Sequence, residues 1–438
     1  MARSRPYSDA NPDLRRRCHV AAPAIEEIEK LMLSYLTPGS FKPLKSEVSQ
    51  QGKRLRDRLL TLPVMVAIVL GLVYRQLPSL SELRRLLERE GLLWVEPMKI
   101  SVEALSKRLR VLPASLFRQL LVEVQERLPD CPSLSIPPWL GLPDQFTAWW
   151  IADGSTLEEL RRTLKIERAV ESTVLGGKMM AVVEAFSHQP VEILYTPDEK
   201  ANDKRFDAAL LERLPQNGLL IFDLGFFKFP WFDEFSEQGK FFVTRLREKT
   251  AYRTVQLLSE GQFYRDEIIQ MGQYRSNPCH HPVRLVSVRW SNVWYHYLTN
   301  VLDPQRLTPE QVCELYRRRW RIEDAFALTK RLLGLSYLWV SDRNGVEIQI
   351  YATWIFYLLL NQLCAEVAWG LQLPLERISV EMVFRGLYHY AHAYLTGEAS
   401  RMVDFFLEHH QLLGLVKNIR QRHRLREAQL KEIWAASP

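Results

Sequence analysis

On either side of the proline-rich segment 130–143, the apolar residues of this chain follow different periods. Ahead of it they recur at helical spacing, as in Leu83, Leu86 and Leu87 behind a Ser79-Leu-Ser-Glu82 capping signal, or run together over Leu59–Tyr74. Behind it come short runs bounded by turn residues. Phe146–Asp153, Lys178–Phe186, Pro190–Tyr195 and Gly218–Asp223 read as strands, and 200–214 reads as a polar helix between the last two. Strand-strand-strand-helix-strand predicts an α/β mixed sheet, and a chain of 438 residues has room for more than one core. From 240 to 300, Phe241–Arg247, Phe263–Gln270, Val283–Trp290 and Trp294–Asn300 extend the β pattern, rich in valine, tyrosine and tryptophan.

Composition narrows the functional classes. Hydrophobic residues make up 47% of the chain and tryptophans number twelve, which excludes a largely disordered protein. The formal net charge of +7 favours a polyanionic partner such as nucleic acid. Five scattered cysteines lack a C-x-x-C pair, and Cys279-His280-His281 has no second ligand pair, so reduced thiols are expected. The opening residues are polar and lack the apolar stretch of a signal peptide. Leu59–Tyr74 contains Pro63, and Ile348–Leu371 carries Gln349, Asn361, Gln362 and Glu366, so both read as core helices and no membrane partner is expected.

The segment Glu314–Lys330 is chemically the most specific. If it is one helix at roughly 100° per residue, Tyr316, Arg319, Glu323 and Lys330 share a polar stripe. Leu315, Ile322, Phe326 and Leu333 then form the buried face, while Arg317, Arg318, Arg321 and Asp324 take the solvated side. Arg319 and Glu323 alone would be an ordinary surface pair. Thr308 as cap and Pro309 at the first position mark the helix start.

Asp153 and Asp223 each stand where an apolar run gives out. Taken singly, either is equally a cap for the segment that follows. If their strands are neighbours and the later helix crosses their ends, three carboxylates, with Glu323, converge. Crowded carboxylates repel one another, and hard divalent cations relieve that repulsion. Two such ions suit displacement at a phosphodiester, for which no side-chain nucleophile is required.

Asp153-Gly-Ser-Thr-Leu, Phe222-Asp223-Leu-Gly-Phe and the ungapped Tyr316-x2-Arg319-x3-Glu323-x6-Lys330 resemble the DDE transposases of bacterial insertion sequences. The last string is similar to the Tyr-Arg-Glu-Lys signature of the insertion-sequence-four family, and the likeness extends over roughly 146–370. It implies an α/β, ribonuclease-H-like mixed sheet with flanking helices, interrupted by a β-rich insertion and preceded by an all-helical N-terminal domain. The corresponding expected segments are a DNA-binding domain at 1–140, a catalytic domain at 146–240 and 303–405, an insertion at 241–302, and a basic tail at 406–438. The resemblance further implies that Asp153, Asp223 and Glu323 hold two Mg²⁺ ions, with Mn²⁺ able to substitute. Tyr316, Arg319 and Lys330 would grip the DNA phosphates.

In some members of that family an aromatic of the insertion stacks a flipped base. Trp290 or Trp294 would serve, with Arg245 and Arg247 as neighbouring DNA contacts, although a buried sheet tryptophan accounts for either Trp equally well. The insert at 158–174 is longer and more helical in pattern than a strand hairpin requires. Helices at 79–90 and 101–111, with Lys107, Arg108 and Arg110 outward, are candidate DNA readers. The expected partner is double-stranded DNA, both transposon ends and target, bound by a homodimer in a cytoplasmic, nucleoid-associated setting. A catalytically silent DNA-binding derivative and a metal-dependent nuclease of the same fold are the alternatives.

Overall fold

The computed structural model describes residues 33–34, 36, 58–77, 79–129, 141, 146–157, 176–290, 292–335, 338–340 and 342–418. The expected insert at 158–174 and basic tail beyond 418 lie outside these residues, as does the linker at 130–140. The chain divides into two compact units, one holding the helices on both sides of the sequence and the other holding the sheet.

In the helical unit, Thr61 caps the helix Leu62–Tyr74, with Pro63 in its first turn. The helices Leu80–Arg89 and Val102–Val111 are capped by Ser79 and Ser101, whose hydroxyls accept from the Glu82 and Ala104 amides. Arg108, expected to face outward, instead donates from Nε to the Leu60 carbonyl at 2.9 Å. Ser115–Arg127 follows. Leu80–Arg89 packs on Val102–Val111, and Leu62–Tyr74, Val102–Val111 and Ser115–Arg127 pack on Arg343–Gly370, a 28-residue helix that is long and apolar enough to cross a membrane but 89% buried over its most apolar window. It is a core helix, as its interspersed polar residues indicated. Near its start Asn344 accepts from the Ala114 amide and donates to the Leu109 carbonyl. The helices Val380–Leu395 and Met402–Glu408 complete the unit.

The second unit is a nine-stranded mixed sheet: β1 (Trp149–Leu157), β2 (Gly177–Glu184), β3 (Pro190–Thr196), β4 (Leu219–Ile221), β5 (Phe241–Arg245), β6 (Tyr252–Gly261), β7 (Tyr264–Met271), β8 (Val283–Trp290) and β9 (Val293–Thr299). Their order is β3-β2-β1-β4-β5-β9-β8-β7-β6. Strands β1, β4 and β5 run parallel at the centre, and the remaining pairings are antiparallel. The β-rich segment thus continues the same sheet through the β5–β9 pairing.

Strand β6 was not among the strands expected from sequence. It is an edge strand, and Val255 and Leu257 are exposed on it, so it has no apolar-in, polar-out alternation to detect. The polar segment at 200–214 forms a 3₁₀ turn at Asp203–Phe206 and a helix at Asp207–Arg213.

Aromatic residues pin the sheet centre. The helix Phe229–Glu237 lays Trp231, Phe232 and Phe235 around Phe222, which lies 4.7 Å from Trp231 and 5.8 Å from Phe242 between ring centroids. Each such pair is worth about 0.5–1.5 kcal/mol beyond the area it buries. Phe222 immediately precedes Asp223, so this packing fixes the backbone from which the carboxylate projects.

The segment Glu314–Lys330 is not one helix. The helix Pro309–Arg318 ends in a turn at Arg319 and Trp320, a second helix runs over Arg321–Ala327, and a π-helical turn occupies Leu328–Leu332. The Arg319 amide bonds to the Tyr316 carbonyl and the Glu323 amide to the Trp320 carbonyl, both i→i−3, so the chain tightens at the break. The expected buried face survives, with Leu315, Ile322, Phe326 and Leu333 all buried. Arg318, expected in solvent, is buried beside Glu314, with its guanidinium 5.0 Å from the Phe186 ring centre. The break re-aims the residues around it.

Candidate metal-dependent site at the ends of the parallel strands

Asp153 lies within β1 rather than at its end. Its strand pairs with β2 as far as Leu157, but it accompanies β4 only over Trp149–Ile151. Asp223 stands just past the end of β4 and caps the short turn Leu224–Phe226, accepting from the Gly225 amide at 2.7 Å. Where β4 turns away, the two carboxylates open onto the same fork. Neighbouring parallel strands commonly present ligand-binding groups at their carboxyl ends.

The helix Pro309–Arg318 packs on β5 and β9, and Arg321–Ala327 packs on β1. The turn between them carries Arg319 onto Asp153, Nη1 to Oδ2 at 2.6 Å. The other guanidinium nitrogen lies 3.6 Å from Glu323. Arg319 is buried, and its Cζ is 4.7 Å from the Trp320 ring centre and 5.7 Å from that of Tyr316. Tyr316 packs in turn on Tyr297 at 5.3 Å. Burial raises the Tyr316 phenol above its ordinary range, opposed by the charges of Arg319 and Arg245.

Electrostatically the site carries excess negative charge. Burial pushes the Asp153 carboxyl up to about 6, against the pull of Arg319, and the charges of Asp223 and Asp203 push it further the same way. A carboxylate with a guanidinium at 2.6 Å would ordinarily titrate low. Here desolvation outweighs that pull, and the neighbouring carboxylates add to it.

The structure brings Asp153, Asp223, Tyr316 and Arg319 into one neighbourhood, with Arg245 within electrostatic reach of Tyr316. Glu323 joins only through Arg319, and its side chain is 49% exposed. Among the described residues, no three ligand-type side chains are close enough to hold one metal ion. Lys330 lies on the π-helical turn and belongs to the helical unit. Trp290 is buried, whereas Trp294 is 42% exposed, and their register puts them on opposite faces of the β8–β9 hairpin. Arg245 ends β5 and lies 5.8 Å from the Tyr295 ring centre.

Two residues near the aspartates were not singled out in the sequence, Asp203 and Lys178, whose carboxylate and ammonium are 2.6 Å apart. Asp203 sits in the polar stretch 198–207 among other charged side chains, where nothing distinguishes it from a solvated residue.

Residues 160–359, somewhat less than half of the chain, match the family model described as a transposase DDE domain. Asp223 and Glu323 lie within the match, and Asp153 lies just ahead of it. The transposase y4zB of Sinorhizobium fredii is 24% identical over 195 residues, 43% of this chain and 53% of that protein. The transposase for insertion sequence element IS4SA of Synechocystis sp. is 24% identical over 169 residues, 37% of this chain and 46% of its own. That for element IS5377 of Geobacillus stearothermophilus is 26% identical over 167 residues, 36% and 43% respectively. The chain spans about half the length of the curated relatives it matches. The solved piggyBac transposase synaptic complex with hairpin DNA aligns over 94% of this chain and 88% of that one, at a TM-score of 0.32 and 10% identity, too distant to carry an argument.

Proposed function

We propose that this protein is a DNA transposase of the insertion-sequence-four type, cleaving and joining strands at the inverted-repeat ends of an insertion sequence as a homodimer. The observation that carries the reading is the meeting of Asp153 and Asp223 at neighbouring parallel strands, with Arg319 delivered to them from the segment that carries Glu323. The transposase DDE domain match and the insertion-sequence relatives support the same assignment. The order β3-β2-β1-β4-β5, antiparallel at one edge and parallel at the centre, supports a ribonuclease-H-like reading of that half of the sheet.

The donor set suits a hard divalent cation such as Mg²⁺ or Mn²⁺, because two carboxylates, one of them largely desolvated, lie near enough to repel each other. Asp153 and Asp223 would hold the first ion. Glu323 would complete the set only once Arg319 lets go of Asp153, since one guanidinium now contacts both acids. When bound, such ions activate the attacking oxygen and stabilise the leaving oxygen of a phosphodiester.

Arg319 would then be available to fork onto a DNA phosphate beside Tyr316, and Lys330 is a further candidate phosphate contact on the other unit. Trp320 and Tyr316 keep the guanidinium in place through their ring faces. Trp294, exposed on its hairpin, is better placed than Trp290 to meet a base, and the half-buried Arg245 is placed to meet the backbone. The helices at 80–89 and 102–111 would contribute DNA contacts through Lys107 and Arg110.

The test is cleavage of DNA carrying the element's own ends by the purified chain with Mg²⁺. Asp223→Ala should lose at least about a thousandfold in cleavage, while end binding in a gel-shift assay stays within a few-fold of wild type. Undiminished cleavage by that variant would sink the assignment. Binding without any cleavage by the wild-type chain would favour the silent DNA-binding derivative, and cleavage without strand joining the nuclease.

A further inference from the structure

We propose that Asp203, tied by Lys178, is a positioning residue of the Asp153–Asp223 site: its carboxylate braces the chain beside both aspartates, and its charge sets how strongly the pair holds a divalent cation. This inference rests on the reading of Asp153 and Asp223 as the ligand pair.

The geometry starts from two glycines. Gly154 follows Asp153, and Gly225 is the residue whose amide binds Asp223. A Cβ placed on Gly154 would collide with Asp203 Oδ1, so one of the two would have to shift. A Cβ placed on Gly225 would lie 2.9 Å from Asp203 Oδ2 and also 2.9 Å from Asp223 Oδ1. One carboxylate therefore fills the space that both glycines leave open, and at Gly225 it borders the same space as the Asp223 carboxylate. The 3₁₀ turn bearing Asp203 packs directly on the turn capped by Asp223, so brace and ligand move together.

Lys178 supplies the anchor. It lies on β2 opposite Thr156, two residues past Gly154 on β1. Its ammonium lies 2.6 Å from Asp203 Oδ1 as an ion pair and donates to the Ala201 carbonyl at 3.0 Å, clamping the turn from the strand side. Both partners are largely buried, with side-chain exposures of 14% and 22%, where charges act on each other with less screening than at the surface. The field reaching Asp153 and Asp223 therefore depends on the balance between one fixed anion and one fixed cation.

The experiment is titration of the full-length chain with Mn²⁺ alone, followed by the paramagnetic resonance signal of free Mn²⁺. Asp203→Asn leaves the Lys178 ammonium uncompensated beside the ligand pair, and Mn²⁺ affinity should fall about tenfold. Lys178→Met leaves the Asp203 anion uncompensated, and affinity should rise several-fold. The double variant should return close to wild type. Opposite signs are the signature of electrostatic positioning, because damage to a purely structural brace would weaken binding in both single variants. Should Asp203→Asn fail to fold, the sign of Lys178→Met alone still decides. If wild type binds Mn²⁺ and the variants match it or weaken together, the role of Asp203 is overturned. If wild type binds no Mn²⁺, the reading of the aspartates falls, and this inference with it.

Discussion

Two little-exposed arginine–aspartate pairs among the described residues, one between strands and one joining β1 to the turn at Arg319, differ in almost everything except their chemistry. Arg284 on β8 grips Asp266 on β7 with two parallel bonds of 2.7 Å, neither side chain shows any exposure, and Arg284 also donates to the Leu307 carbonyl. The two sit diagonally on adjacent antiparallel strands, so the ladder itself sets their spacing. Arg319 reaches Asp153 with one bond, shares itself with Glu323, and its Nε has no hydrogen-bond partner among the described residues. Its aspartate also faces two further carboxylates. The first pair is saturated and belongs to the fold. The second is left incomplete at the mouth of the parallel strands, where the proposed cation or phosphate would finish it.

Stability should separate the pairs most strongly. Arg284→Ala leaves Asp266 buried and unpaired and should cost about 3–5 kcal/mol in urea unfolding. Arg319→Ala should cost about 1 kcal/mol or less at pH 6, since Asp153 can take up a proton instead. Equal losses would erase the distinction between a structural and a poised pair.

The pH dependence of Asp153 offers a second test. Its folded-state carboxyl titrates near 6, above the ordinary carboxylate value of about 4. Between those values the folded chain binds the extra proton, so this group's contribution to stability falls as pH rises through that window and stays low above it. Asp153→Asn should therefore raise the melting temperature by a few degrees at pH 8 without metal, and the gap should close below about pH 4. A variant less stable than wild type at pH 8 would mean that the Arg319 pair is net stabilising after all.

Metal addition should move the same observable by less. Mg²⁺ at about ten times its dissociation constant should stabilise wild type by about 1.4 kcal/mol and leave Asp153→Asn nearly unmoved. No change in the thermal midpoint of wild type would indicate that the second pair is already complete. The smallest effect concerns a cation belonging to neither pair. Lys330→Ala should reduce the slope of log affinity for end DNA against log salt by about one phosphate contact. An unchanged slope would remove Lys330 from the DNA-binding set.

How much of this was visible in the residues varies along the chain. Asp153 and Asp223 stood out because each follows an apolar run, and an apolar run that stops on an acid needs no fold to be noticed. The long helix Arg343–Gly370 was legible as core because its polar residues argue against lipid. The break at Arg319–Trp320 was not. Arg-Trp-Arg contains neither glycine nor proline, and its local preference is for continuing the helix. Strand β6 escaped because an exposed edge strand carries no alternating pattern, and Asp203 because a polar side chain among polar neighbours looks solvated until two distant glycines close around it.

The sequence by itself determined the helical and β-rich segments, the two acids that end apolar runs, and the ordered set Tyr316, Arg319, Glu323 and Lys330, because local pattern and side-chain chemistry are written residue by residue. Only the tertiary structure decided that β1 and β4 are parallel neighbours, that the segment bends to place Arg319 on Asp153 rather than beside Glu323 alone, and that Asp203 stands between the two glycines. Those are contacts between residues far apart in the chain. They are set by which strands pair and which helices cross them, and no spacing along the sequence encodes that directly.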